Sequence, residues 1–151
     1  MDAALRSVSD SGMFVLGPEV KKLEQNIAEY CQVEHAVGCA SGSGALLLAL
    51  MACDIKAGDE VIVPSFTFFA TASAVTRLGA TPVFADIEPG SFNIDPEHVA
   101  QLITDRTRAI IPVHLFGQMA EMQTLNDLVR GKNITVIESA GESFIIDCGL
   151  T

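Results

Sequence analysis

Short, continuously apolar runs, spaced by segments long enough for helices, constrain this chain more than any other feature. Val61-Ile62-Val63 and Ile110-Ile111-Pro112-Val113 do not alternate between apolar and polar residues. A strand with one solvated face alternates, whereas a strand covered on both faces does not. Strands that recur between helices pair in parallel, because each helix carries the chain back to the edge where the last strand began. With right-handed crossovers the expected fold class is α/β, a three-layer sandwich around a mostly parallel sheet.

The elements can be placed from pattern and punctuation. Pro18 to Cys31 reads as a helix, with Val20, Leu23 and Ile27 on one face and Glu19, Lys21, Lys22, Glu24 and Glu29 on the other. Ala36 to Ala40 reads as a first short strand, and Ser41-Gly42-Ser43-Gly44 opens from it into a helix over Ala45 to Cys53. Further strands are predicted at Glu60–Pro64, Thr81–Ile87, Ala109–His114 and Thr135–Glu138. Helices are predicted at Thr67–Leu78, from Asp95-Pro96 onward, and at Met119–Arg130. Asp95 suits a helix cap, and Pro96 loses nothing at the first helical position. Residues 1–17 read as an N-terminal arm, and 18–151 as one domain.

Composition narrows the classes. The chain has 151 residues, 49% of them apolar, and a formal charge of -10. That size and apolar content support a buried core. The charge argues against nucleic acid and anionic membrane surfaces as partners. Cys31, Cys39, Cys53 and Cys148 form no CxxC pair and have no histidine at a ligand spacing, so no metal site is expected. They read as small buried residues of a reducing compartment. No signal-peptide pattern opens the chain, and no apolar run is long enough to span a bilayer, so the expected location is cytoplasmic.

In an open parallel sheet, ligands sit beyond the C-terminal ends of the strands. Ser41-Gly42-Ser43-Gly44 combines glycines, hydroxyls and a helix N-terminus there, which is the chemistry of a phosphate cradle. A turn that only caps the helix is the competing reading. Pro64-Ser65-Phe66-Thr67-Phe68-Phe69 places aromatics at a strand end, where one can stack on a planar ring or simply belong to the core. His114 ends another strand, as a ligand-touching or a purely structural residue. Glu138-Ser139-Ala140-Gly141-Glu142 follows the last strand, with carboxylates that face the cleft or solvent.

Taken in order, these segments resemble the DegT/DnrJ-type sugar aminotransferases, pyridoxal-phosphate enzymes of fold type I. The resemblance runs through Gly17-Pro18-Glu19-Val20, His35-Ala36-Val37-Gly38, Ser41-Gly42-Ser43-Gly44-Ala45-Leu46 and Gly58-Asp59-Glu60-Val61-Ile62-Val63-Pro64-Ser65-Phe66-Thr67-Phe68. It continues through Gly79-Ala80-Thr81-Pro82-Val83-Phe84, Asn93-Ile94-Asp95-Pro96-Glu97, Ile111-Pro112-Val113-His114-Leu115-Phe116-Gly117-Gln118 and Val136-Ile137-Glu138. It implies pyridoxal 5'-phosphate as cofactor, an amino-acid donor, a nucleotide-linked keto-sugar as acceptor, and a homodimer. By the same resemblance Gly42 and Ser43 grip the cofactor phosphate and Phe68 stacks on the pyridine ring. Ser139 stands where the family has the aspartate that pairs with the ring nitrogen, and Glu142 where a Gln or His touches the hydroxyl side. His114 is a candidate on the substrate side.

Two departures follow. A serine hydroxyl at position 139 cannot hold the ring nitrogen protonated as a carboxylate does. None of Lys21, Lys22, Lys56 and Lys132 matches the family's Schiff-base lysine, so no catalytic residue is assigned. The likeness fades after Phe144, and the expectation is a truncated large domain without the C-terminal small domain, inactive alone and poorly soluble. The alternative is a non-catalytic module that binds a phosphate ligand or dimerises with a full-length relative. Glu138 is expected to point away from Ser139 if the strand persists.

Overall fold

Along strand β1 (Glu60–Pro64), Val61 and Val63 face one way and Ile62 the other, and every one of its five residues is buried. That alternation divides the core into two layers. The computed structural model describes residues 2–140 and the strand at 146–148. Strands β2 (Thr81–Ala85), β3 (Thr107–Ile110) and β4 (Thr135–Ser139) join β1 in parallel. Strand β5 (Ile146–Cys148) runs antiparallel to β4, and the sheet order is β2-β1-β3-β4-β5.

One face of the sheet is covered by α3 (Gly42–Ala52) and α4 (Ala70–Arg77). Leu46, Leu50, Ala74 and Val75 pack there against Val61, Val63, Ala109, Ile111 and Ile137. The other face carries α5 (Pro96–Leu102) and α6 (Met122–Val129), whose Val99 and Leu125 pack against Ile62 and Ile110. The three-layer α/β sandwich expected from the apolar runs is therefore the observed one. β2 is one of the two edge strands, and most of its side chains are correspondingly open, with Phe84 more than half exposed and only Ala85 buried.

The chain divides into two compact units, Met1–Cys39 and Ala40–Thr151. The first holds α1 (Asp2–Ser11) and α2 (Pro18–Cys31), so much of the predicted arm is helical. Pro18 begins α2, and Gln32 ends it in the left-handed conformation at φ 56. The sheet and both core layers belong to the second unit.

Several expectations need correcting. Residues 36–40 form no strand. Gly38 gives its N–H to Glu24 Oε1 at 2.9 Å, and Val37 is 82% exposed, so the segment lacks both a neighbouring strand and a buried face. The predicted strand over Ala109–His114 breaks after Ile110, because Pro112 has no N–H to donate. Pairing resumes at Val113, which bridges Ser139. Cys31 is half-buried and Cys39 exposed, so neither is a core residue, whereas the half-buried Cys53 packs against the α3 and α4 layer; the side chain of Cys148 lies outside the described residues. Cys31 lies at the end of a surface helix and Cys39 in the open segment that follows. The uniformly apolar α3 buries Leu46 and Leu50 but leaves Leu48 and Met51 more than half exposed.

Local chemistry explains the helix ends. Asp95 accepts from Glu97 N–H at 2.8 Å, the cap its sequence position predicts. Gly79 closes α4 at φ 75, and a Cβ there would meet Ala57 Cβ at 3.3 Å. Both facts favour glycine at that turn.

Candidate functional site

The turn between α3 and β1 is short, so α3 ends near the edge of the sheet where β1 begins. Its N-terminus therefore lies toward the opposite edge, where the parallel strands end. A helix exposes its first N–H groups without intrahelical partners. Ser41 meets two of them: its Oγ accepts from Gly44 N–H at 3.1 Å and its carbonyl from Ala45 N–H at 2.9 Å. The N–H groups of Gly42 and Ser43 are left, among the described residues, as the outward donors of α3. A Cβ added to Gly42 would meet nothing within 4 Å, so packing does not require glycine there. Its bareness leaves the backbone open to close approach by an anion, with the helix dipole favouring negative charge.

The aromatics after β1 are not core. Phe66 is 49% exposed, and Phe68 and Phe69 are each 77% exposed. Their stretch leaves the sheet edge immediately: Ser65 N–H still bonds Ala85 O at 2.8 Å, and α4 starts at Ala70.

β4 separates the two residues that close it. Ser139 follows Ile137 by two positions, so it faces the α3 and α4 layer, and it is buried. Its N–H donates to Pro112 O at 3.0 Å, and its carbonyl accepts from His114 N–H at 2.7 Å. Glu138 points to the other layer, as expected. There it meets His114, whose Nε2 lies 2.9 Å from Glu138 Oε2. Ala120 N–H donates to His114 Nδ1 at 3.2 Å, which assigns the imidazole proton to Nε2 and makes Glu138 its acceptor. His114 is thus held at both ring nitrogens by the protein. Glu142 lies outside the described residues.

Sequence reasoning missed Asn93. It is 1% exposed and ties two loops together: Oδ1 accepts from Leu115 N–H at 3.0 Å, and Nδ2 donates to Gln118 O at 3.0 Å. The available signal was a polar residue just ahead of an apolar one and a helix cap, Asn93-Ile94-Asp95-Pro96.

The lysines of the second unit lie away from this edge. Lys56 precedes β1 and pairs with Asp54 at 2.7 Å, and Lys132 precedes β4 and donates to Leu128 O at 2.6 Å. Both belong to the end where strands begin. A cleft of about 350 Å³ lined by Thr104, Thr107, Arg108 and Lys132 is also at that end, so its size does not make it the phosphate site. At the same end Glu60 is buried, accepting from Thr104 Oγ1 at 2.5 Å and from Arg106 Nε at 2.9 Å. The Thr104 hydroxyl first, and the Arg106 guanidinium second, hold its carboxyl below the usual carboxylate range. Among the described residues no group of three or more His, Cys, Asp or Glu is placed to hold a metal ion, and no helix is long and apolar enough to cross a membrane.

Comparison with known proteins places this geometry among relatives. The sequence model of the DegT/DnrJ/EryC1/StrS aminotransferase family matches residues 1–147. A pleiotropic regulatory protein of Geobacillus stearothermophilus is 49% identical over 92% of this chain and 37% of its own length. The UDP-2-acetamido-2-deoxy-3-oxo-D-glucuronate aminotransferase of Pseudomonas aeruginosa is 44% identical over 95% of this chain and 40% of its own. The crystal structure of Streptomyces venezuelae DesV in complex with a ketimine intermediate superposes with a TM-score of 0.88 at 46% identity. It covers 91% of this chain and 37% of that one. The chain thus spans well under half the length of the relatives it matches.

Proposed function

Because the chain belongs to the DegT/DnrJ/EryC1/StrS aminotransferase family, we propose that it is the cofactor-binding part of a pyridoxal-phosphate-dependent aminotransferase acting on nucleotide-linked keto-sugars. The observation that carries the reading is the N-terminus of α3. Gly42 and Ser43 present outward N–H donors at the edge where ligands bind in parallel sheets, and Ser41 fixes the turn that aims them. Those donors fit a phosphate. When bound, the cofactor supplies an electron sink for amino-group transfer.

The remaining residues take their roles from position. Phe68, exposed between β1 and α4, offers a face to the pyridine ring. Ser139, on the same face of the sheet as α3, offers a hydroxyl to the ring nitrogen where the family has a carboxylate. It can accept or donate one hydrogen bond but carries no charge to hold a proton there. His114 is oriented by Ala120 and Glu138 on the other face, a supporting arrangement beneath the site. With the family relationship as support, we infer an amino-acid donor, a nucleotide-linked sugar acceptor, a homodimeric assembly and a cytoplasmic setting.

Ser139→Asp tests the ring placement. A carboxylate facing the pyridine nitrogen forms a charge-assisted bond of about 1.5–3 kcal/mol. Pyridoxamine 5'-phosphate, followed by calorimetry, should then bind about tenfold to a hundredfold more tightly. Ser139→Asn controls for size and should leave the affinity near that of the natural chain. Equal affinity of the Asp variant and the natural chain, with both folded, would remove Ser139 from the ring site.

A further inference from the structure

We propose that Phe66, Phe92 and Phe116, from loops at the end of the sheet where the parallel strands finish, form a stacking platform for the nucleobase of a nucleotide-linked ligand. The proposal rests on the nucleotide-sugar reading above and names the part of the site that would take the base.

Three observations carry it. The rings come from three separate loops yet meet: Phe66 and Phe92 centroids are 5.8 Å apart, and Phe92 and Phe116 are 6.2 Å apart in an edge-to-face arrangement. All three are open to solvent, Phe66 by 49%, Phe92 by 43% and Phe116 by 79%.

The backbone is the second observation. Phe92 has φ 61 and Phe116 φ 54, in the left-handed region that bulky residues avoid. Strain of this kind persists where the surroundings over-determine it, and it clusters at ligand sites.

The surroundings are the third. The Phe92 turn is closed by Phe92 N–H to Glu88 O at 2.9 Å, Glu88 N–H to Asn93 O at 2.9 Å and Ser91 Oγ to Glu88 Oε2 at 2.8 Å. The buried Asn93 then bonds Leu115 N–H and Gln118 O on either side of Phe116. One amide therefore sets the Phe92 loop against the Phe116 loop. The rings are exposed, mutually braced and held from below by a polar clamp, which is how a rigid stacking surface is built.

The ligand class follows from the shape. Stacking needs a planar π face, and every nucleobase has one, so the platform tolerates different bases. It offers no donor or acceptor from its own rings, so it selects for the presence of a base and not for its identity.

The test is calorimetric titration of the chain with UDP, TDP and GDP, and with pyrophosphate as the base-free control. Each nucleoside diphosphate should bind at least tenfold more tightly than pyrophosphate. Phe116→Leu keeps apolar bulk but loses the π face, and should weaken nucleotide binding about tenfold with pyrophosphate unchanged. Phe116→Tyr should restore it. Nucleotide binding equal in Phe116→Leu and the natural chain, with unchanged far-UV circular dichroism, overturns the proposal. Absent nucleotide binding alongside pyridoxamine 5'-phosphate binding also overturns the platform and leaves the cofactor reading standing. Phe116-dependent nucleotide binding without cofactor binding upholds the platform and sinks the cofactor reading.

Discussion

Exchanging Asn93 for aspartate alters one hydrogen-bonding group and almost no volume. Asn93 is 1% exposed, with its Oδ1 3.0 Å from Leu115 N and its Nδ2 3.0 Å from Gln118 O. In the Asp variant the Leu115 bond survives, while the donor to Gln118 becomes an acceptor facing a carbonyl. The cost is the lost bond and the desolvation of a carboxylate without a counter-charge, about 3 kcal/mol at neutral pH. For a domain of this size that is a fall in Tm of about 6–12 °C. The sign of the pH dependence follows. Burial raises the folded-state pKa of the new carboxyl above its unfolded value of about 3.9. The folded state then binds more protons than the unfolded one, so stability falls as pH rises from the unfolded pKa through the folded one. Below about pH 4 the protonated acid donates to Gln118 and the variant approaches the natural chain. Urea unfolding of both proteins at pH 4 and pH 7.5, compared at equal pH, measures this. A difference between variant and natural chain that is the same at both pH values would refute the clamp as described.

Glu60 supplies a prediction of opposite sign. Its carboxyl is held low by Thr104 and Arg106, so its contribution to stability is present above the unfolded pKa of about 4.3 and lost as pH falls through the lower folded value. Glu60→Gln should cost about 2 kcal/mol at pH 7 and flatten the acid limb of the stability profile, measured by urea midpoints across pH. Leu50, with no exposed surface, should cost about 2–5 kcal/mol when replaced by alanine, whereas Leu48→Ala on the open side of the same helix should change the urea midpoint little.

Periodicity carried the architecture because burial on both faces leaves a direct mark on composition. Val61-Ile62-Val63 could be nothing but a central strand, and Asp95-Pro96 could begin a helix for reasons local to those residues. Ala36–Ala40 carried the same apolar mark without the structure, since an apolar run states that burial is wanted and not that a strand edge is available. The Gly-Ser turn that opens α3 was legible because glycine, serine and a helix start are contiguous. The pair of His114 and Glu138 was not, as Glu138 stands on β4 and His114 follows the isolated bridge of Val113 to Ser139, so they meet only through that pairing. Asn93 and the left-handed Phe92 and Phe116 were hidden for a related reason. Their roles depend on a hydrogen bond to a loop 22 residues away along the chain, which no local pattern encodes. The exposure of Phe66, Phe68 and Phe69 likewise follows from where the strand ends, and a sequence-level default would have placed any one of them in the core.

If the outward N–H groups of α3 bind the phosphate of a cofactor, Gly42→Pro should weaken that binding. Ser41 is extended at φ -164 and ψ 159, which is what a following proline requires, and proline is well accepted at the first helical position. The substitution thus removes one donor and leaves the helix in place. Calorimetric titration with pyridoxamine 5'-phosphate should show binding to the natural chain and a loss of about tenfold or more in the variant, with pyridoxamine lacking the phosphate bound weakly by both. Equal affinity of the two chains for pyridoxamine 5'-phosphate, with unaltered unfolding, would mean that these N–H groups do not hold the phosphate.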